Sequence, residues 1–326
     1  MEQSFMTGKE TSKKLPMVIL SGPTGVGKTK LSISLAKAIG GEIISADSVQ
    51  VYEYMDVGSA KIRPEEMEGV PHHLIDVLKP WEDFNVVTFQ SLCKEALKGI
   101  YERGNVPIVV GGTGFYVQAL LRDVNFTENE ENAEYRAQLE AIAKKEGPER
   151  LHEMLLKVDP KSAEMIHANN VKRTIRALEF YELTKTPISE HNEEERKRER
   201  AYNACYFVLN DKRERLYEKI EARVDQMMEE GLLEEVTRLK EMGCKRQSTA
   251  MQGLGYKEIL DYLAGECTLE EAVAKIKLST RHFCKRQLTW FRREEDVIWL
   301  NKWEYDYDEK KILEEALNRL KLQGII

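Results

Sequence analysis

The chain has 326 residues, 42% of them hydrophobic, and a formal net charge of -7. This suffices for one large domain or two modest ones, and the acidic balance speaks against a protein that coats nucleic acid without selectivity. Apolar stretches run to only a handful of residues, far short of the roughly 20 that cross a bilayer, so no membrane span is expected.

The polar amino-terminal stretch "MEQSFMTGKETSKKL" lacks the apolar core of a signal peptide, so residues 1–14 are expected to form a disordered tail and the protein to be cytoplasmic. Cys93, Cys205, Cys244, Cys267 and Cys284 are odd in number and widely scattered, which points to reduced thiols and no metal knuckle.

Short apolar runs bounded by turn residues fall at 16–22, 41–47, 72–77 and 106–112 and read as buried strands. Helical patterns lie between them, among them one in which Phe89, Leu92, Ala96 and Ile100 recur at helical spacing. Strands alternating with helices predict an α/β fold with a parallel sheet covered on both faces. Residues 123–202 are rich in charged helix formers and read as a helical insertion; further strands are expected at 204–210 and 296–301. The stripe Leu216, Ile220, Val224 and Met227 reads as core. The expected organisation is a core of 15–122 and 203–300, the insertion 123–202 and a helical tail 301–326.

Directly after the first strand, Gly22, Gly27, Lys28 and Thr29 satisfy G-x-x-x-x-G-K-S/T, the phosphate-loop pattern. Loop amides and a helix N-terminus can surround phosphate oxygens there, with Lys28 neutralising charge and the Thr29 hydroxyl ligating Mg2+. The loop alone does not say which phosphate-bearing molecule it holds. Asp47 falls at the end of the second strand, where ligands of open α/β sheets collect, with the phosphate loop expected as its neighbour across the sheet. It can accept a proton from an attacking nucleophile or cap a turn. The fourth strand ends in "GGTGFYVQAL" rather than in an acid, and the glycines around Thr113 let backbone and hydroxyl approach a ligand. Asp76 is a fallback metal ligand; His72 and His73 read as packing or capping residues.

"TLEEAVAKIKLSTRHFCKRQLTWFRR" opens with Thr268 and Glu271 at capping-box spacing and predicts a long helix. Between Ala272 and Arg293 it carries seven Lys or Arg and no acid, with Lys277, Arg281 and Lys285 on one face. The lack of compensating carboxylates favours a polyanion site over a solvated face. Lys172, Arg173 and Arg176 form a second basic cluster in the insertion, and RNA fits the pair of patches.

Taken together, "GPTGVGKT", "ADSVQVYEYMDVGSAK", "PHHLID", "GGTGFYVQAL", "RTIRALEFYELT", "LYEKIEARVDQM", "GLGYKE" and "TRHFCKRQLTWFRR" resemble, in this order, the tRNA dimethylallyltransferase family over about residues 15 to 300. The resemblance implies a P-loop NTPase-like core with an all-helical insertion, and transfer of a dimethylallyl group from dimethylallyl diphosphate to N6 of the adenosine 3′ of the anticodon. The loop Gly22, Pro23, Thr24, Gly25, Val26, Gly27, Lys28 and Thr29 would then grip the diphosphate with Mg2+ at Thr29, and Arg213 would face it. Asp47 would serve as base and Thr113 would bond near the bridging oxygen. Asp47, Ser48, Val49, Gln50 and Thr113 would meet the adenine. Arg136, Lys172, Arg173, Arg176, Gln252, Gly255, Tyr256, Lys257, Arg281 and Lys285 would hold the anticodon stem-loop. No membrane and no obligate protein partner is implied. The chain departs from the family's usual pattern at Asn169-Asn170, Lys172, Ser59 and Ile62. Competing readings are a phosphate-loop kinase of a small metabolite, a non-catalytic RNA-binding NTPase, and a related prenyltransferase acting on free adenylate.

Overall fold

β-branched runs alternating with helical periodicity build a layered α/β core. The computed structural model describes residues 14–126 and 133–326; the expected tail lies outside these except for Lys14. Among the described residues the strands are β1 Pro16–Ser21, β2 Gly41–Ser45, β3 His72–His73, β4 Val106–Gly111, β5 Asn203–Asn210 and β6 Val297–Asn301. They pair in the order β3-β2-β4-β1-β5-β6, every pair parallel. The third strand, expected over 72–77, stops after two residues because Leu74 and Asp76 adopt φ values of 63 and 53, which no strand can carry.

The helices, in chain order, are α1 Lys28–Ile39, α2 Val86–Glu102, α3 Gly114–Leu121, α4 Ala133–Glu146, α5 Pro148–Val158, α6 Pro160–Met165, α7 Val171–Thr184, α8 Ile188–Lys197, α9 Arg213–Glu229, α10 Leu232–Glu241, α11 Tyr256–Leu263, α12 Leu269–Phe291 and α13 Glu309–Leu322. A parallel sheet needs both faces covered, and successive strand residues alternate between two apolar layers. Met17, Ile19, Tyr206 and Val208 face a layer with Phe89 and Leu97 of α2 and Val236 of α10. Val18, Leu20, Cys205 and Phe207 face a layer with Leu31 and Leu35 of α1 and Ile312, Ala316 and Leu320 of α13. Leu216, Ile220 and Val224 are buried as the α9 stripe requires, and both α9 and α12 contribute to both layers. α12 begins as its spacing predicts: Thr268 Oγ1 accepts from the Glu271 amide, and Glu271 Oε2 accepts from the Thr268 amide.

The chain divides into two compact units, Met1–Leu121 with Ala201–Ile326, and Arg122–Arg200. The stretch 301–326, read from the sequence as a tail, belongs to the first: Asn301 closes β6 and α13 is set into the core beside α1. The second unit holds α4 to α8 around Leu139, Leu151, Leu155, Ile175 and Leu178. Its buried Asp159 accepts from the Ser162 amide and from the Ser189 amide and hydroxyl, joining α6 to α8. All five cysteines are free thiols. No helix among the described residues is long and apolar enough to cross a membrane.

Because Ile312 is only 2% exposed, Ile312→Ala is expected to cost about 3 kcal/mol of stability in urea denaturation. A cost below about 1 kcal/mol would mean that α13 is dispensable to the core.

Candidate active site at the carboxyl edge of the sheet

β1, β4 and β2 end side by side, with Ser21 level with Gly111 and Val110 level with Ser45. Three loops therefore leave one edge together: 22–27, 112–113 and 46–50. β4 stands between β1 and β2, so the neighbour of β2 is the strand leading to Thr113, and the sequence-based placement of the phosphate loop directly beside it is corrected. Order along the chain does not fix order across a parallel sheet, because each crossover can carry the next strand past a neighbour.

In the phosphate loop Gly25 and Gly27 take φ values of 78 and 94. Gly27 caps α1 without a side-chain acceptor, and the first turn of α1 has no acid, so the leading amides receive no anion from their own helix. Lys28 Nζ donates to the Gly22 and Pro23 carbonyls at 2.9 and 3.0 Å. It keeps a small accessible face yet lies deep among protein atoms, and burial pulls its pKa down to about 8; Asp47 opposes this and Arg223 adds to it. Thr29 is exposed, and its hydroxyl donates to no group among the described residues.

Asp47 caps a turn, one of the two roles read for it from the sequence. Its Oδ1 accepts from the Val49 and Gln50 amides at 2.8 and 3.3 Å, a turn cap that also sets Ser48. Its Oδ2 has no hydrogen-bond partner among the described residues. Gln50 is turned toward its own loop, donating to the Ser59 and Ala60 carbonyls and accepting from the Ser45 hydroxyl. The Thr113 carbonyl starts α3 by accepting from the Tyr116 and Val117 amides, while its hydroxyl has no partner among the described residues. The sequence reads the glycines beside Thr113 as making way for a ligand, but their open sides face protein. A Cβ at Gly112 would lie 2.1 Å from Gln287 Nε2, and one at Gly114 would lie 2.2 Å from the Trp290 ring, so α12 fills that space.

Two residues that act on these loops escaped the sequence reading. Arg223 on α9 donates to the Ser59 carbonyl at 3.4 Å; burial lowers its pKa and Asp47 raises it. The available signal was its place three residues after Ile220 and four before Met227, at the border of an apolar stripe where a cation needs a reason. Glu235 of α10 is 2% exposed and accepts from the amides of Asp56, Val57 and Gly58 at 2.8, 2.8 and 3.0 Å, and from the Tyr256 hydroxyl at 2.8 Å. Tyr256, expected to touch RNA, is fully buried and instead holds this loop. Gly255 caps α11 with its amide on Glu258, Lys257 sits 3.8 Å from Glu258, and Gln252 bonds the Arg246 carbonyl.

The acid-free stripe on α12 finds its acids on α9, which corrects the sequence argument: Lys277 pairs with Asp225 at 2.6 Å and Arg281 with Glu221 at 3.0 Å. Lys285 makes no ion pair among the described residues; with Arg213 and Arg292 it borders a cavity of about 50 Å3 next to Cys284. Burial pushes the Cys284 thiol up to about 11, against the pull of Lys28 and Arg213. Asp76 is engaged by Lys61, and His72 and His73 bond the Val70 carbonyl and Glu42. In the second unit Lys172, Arg173 and Arg176 are exposed on α7, while Arg136 is held by Glu179 at 2.7 Å.

A parallel sheet with a phosphate loop on its carboxyl edge, entered by a partly buried lysine, defines a P-loop α/β protein. The chain belongs to the tRNA dimethylallyltransferase family: the IPP transferase profile matches residues 50–294 and the isopentenyl transferase profile residues 16–79. It is 59% identical over 311 residues to the curated tRNA dimethylallyltransferase of Lachnoclostridium phytofermentans, covering 95% of this chain and 99% of that one. Among solved structures it is similar to a tRNA isopentenylpyrophosphate transferase from Bacillus halodurans, with 44% identity, TM-score 0.71, and 95% and 98% of the two chains covered. It is also similar to a eukaryotic dimethylallyltransferase described as acting on tRNA, with 33% identity, TM-score 0.75, and 89% and 74% covered.

Because a bound polyphosphate favours the Lys28 ammonium, binding above pH 8 must take up a proton. Affinity for inorganic diphosphate, measured by calorimetry, is expected to fall as pH rises through about 8 and to stay flatter in Lys28→Arg. The same fall in both proteins would assign the titration elsewhere. Glu235→Ala, which strands three amides and a hydroxyl, is expected to cost about 3 kcal/mol in denaturant titration; a loss under about 1 kcal/mol would deny the carboxylate its role in holding the loop.

Proposed function

We propose that the protein transfers the dimethylallyl group of dimethylallyl diphosphate to N6 of the adenosine immediately 3′ of the tRNA anticodon, releasing diphosphate. What carries this reading is the row formed by Lys28, the Thr113 hydroxyl and the free Asp47 oxygen along one sheet edge, in a chain 59% identical to a curated tRNA dimethylallyltransferase. The adenine must leave its stack to reach that edge. The N6 lone pair then attacks C1 of the allyl group, the C1–O bond breaks, and its electron pair departs on the diphosphate. Asp47 Oδ2 takes the N6 proton, which matters because the amine's lone pair is delocalised into the ring.

Negative charge grows on the leaving diphosphate, and the chain supplies the means to offset it: Lys28, the amides at the head of α1, Arg223 and Arg213, with the Thr113 hydroxyl donating to the bridging oxygen. No cluster of three His, Cys, Asp or Glu able to hold a metal occurs among the described residues. The phosphate-loop pattern places a Ser or Thr hydroxyl, here Thr29, where Mg2+ is held together with the oxygens of a bound phosphate. Thr29, with its exposed and unengaged hydroxyl, would hold it. Bound there, Mg2+ would add positive charge beside the leaving group.

Residues 47–50 would meet the adenine. Lys172, Arg173 and Arg176, exposed on α7, would bind the phosphates of the anticodon arm. The reaction would take place in the cytoplasm and needs no obligate protein partner.

Incubation of the protein with Mg2+, dimethylallyl diphosphate and unmodified tRNA is expected to add one dimethylallyl group to that adenosine, read by nucleoside mass. RNA bound by folded protein without a mass gain would refute the reading, and ADP formed from ATP and a small acceptor would favour a kinase. Asp47→Ala is expected to abolish turnover while inorganic diphosphate still binds; full activity would remove Asp47 as the base.

A further inference from the structure

We infer that Gln287 is a positioning residue whose amide clamps the phosphate loop to the Thr113 turn, an inference that rests on the diphosphate reading above. Gln287 comes from α12 and is 6% exposed. Its Oε1 accepts from the Thr24 amide at 2.9 Å, and its Nε2 donates to the Gly112 carbonyl at 3.1 Å. β1 and β4 are joined by their own ladder only as far as Ser21 and Gly111. Beyond those residues the two segments turn away, one into the phosphate loop and the other toward Thr113, and the Gln287 side chain bridges them.

The chemistry suits an amide. The loop presents an N–H and the turn presents a C=O, so the bridging group must accept on one side and donate on the other; a carboxylate cannot donate and an ammonium cannot accept. The geometry selects glycine opposite it, since a Cβ at residue 112 would lie 2.1 Å from the amide nitrogen. Cys284 and Leu288, on either side in the helix, are 1% and 9% exposed and fix the backbone that carries the amide.

Two consequences follow for the reaction. The Thr24 amide is committed to the protein, so a bound diphosphate is served by the amides from Gly25 onward. The Thr113 hydroxyl is held at a set separation from the loop that grips the leaving group, and a positional error of about 1 Å in such a pair is enough to lower turnover a hundredfold.

The test titrates inorganic diphosphate with Mg2+ into the full chain by calorimetry, using Gln287→Met, Gly112→Ala and the double variant. Each single change is expected to raise Kd about tenfold, and the double change by no more than either, because both remove one bridge. Affinity for an anticodon stem-loop RNA should stay unchanged, and in prenyl transfer kcat should fall without a rise in KM for RNA. Gly112→Ala keeps the test open if Gln287→Met folds poorly. Diphosphate binding within twofold of wild type in both single variants, or losses that multiply in the double, would overturn the clamp. Since binding is read without turnover, a wild-type protein that fails to prenylate while diphosphate affinity depends on Gln287 would sink the functional reading and leave the clamp standing. No diphosphate binding by wild type would overturn both.

Discussion

Lys28 carries its charge in among protein atoms, and the groups around it divide into those that relieve that charge and those that aggravate it. The Gly22 and Pro23 carbonyls accept its protons and Asp47 raises its pKa, while burial and Arg223 depress it to about 8. Asp47 acts on both cations, since it also raises Arg223. One carboxylate against two largely buried cations leaves a surplus of positive charge, and burial makes uncompensated charge costly. A polyvalent anion relieves that cost where a neutral substrate would not.

Two clusters of orphan amides are treated in opposite ways. At residues 56–58 three successive N–H groups form a concavity suited to an anion, and the chain fills it with its own Glu235. At the head of α1 it supplies none: the cap is a glycine and the first turn holds no acid. The first arrangement is structural and fixes the loop whose Ser59 carbonyl receives both Gln50 and Arg223. The second leaves donors for a ligand. Similar backbone chemistry thus serves support in one place and binding in the other, and the difference lies in whether a side chain has been provided.

The six strands, the cap of α12 and the α9 stripe were legible because each depends on residues close in sequence: β-branched runs, Thr268 with Glu271, and apolar residues one turn apart. The phosphate loop was legible for the same reason. What failed were inferences about partners distant in sequence. The acids that answer Lys277 and Arg281 lie on another helix, so a search along α12 missed them. The glycines around Thr113 announced close approach but not what approaches, and Gln287 and Trp290 arrive from more than 170 residues away. The family resemblance implies an RNA contact at Tyr256, whereas its ring is buried and its hydroxyl serves Glu235. Arg223 was concealed by the stripe it borders.

The net charge of -7 also conceals how cations are used along α12. Its amino-terminal part spends Lys277 and Arg281 on ion pairs with Asp225 and Glu221, the helix that carries Arg223. Partly exposed pairs of this kind contribute little stability, so the position of α9 is set by Leu216, Ile220 and Val224, and the pairs orient rather than anchor it. Farther along, Lys285 and Arg292 have no ion pair among the described residues and gather with Arg213 around the cavity beside Cys284. Cys284 in turn lies near enough to Lys28 for each to act on the other's titration. Positive charge is therefore balanced where helices meet and left unbalanced toward the phosphate loop, so an acidic protein can still present a local field that draws an anion to one edge of its sheet.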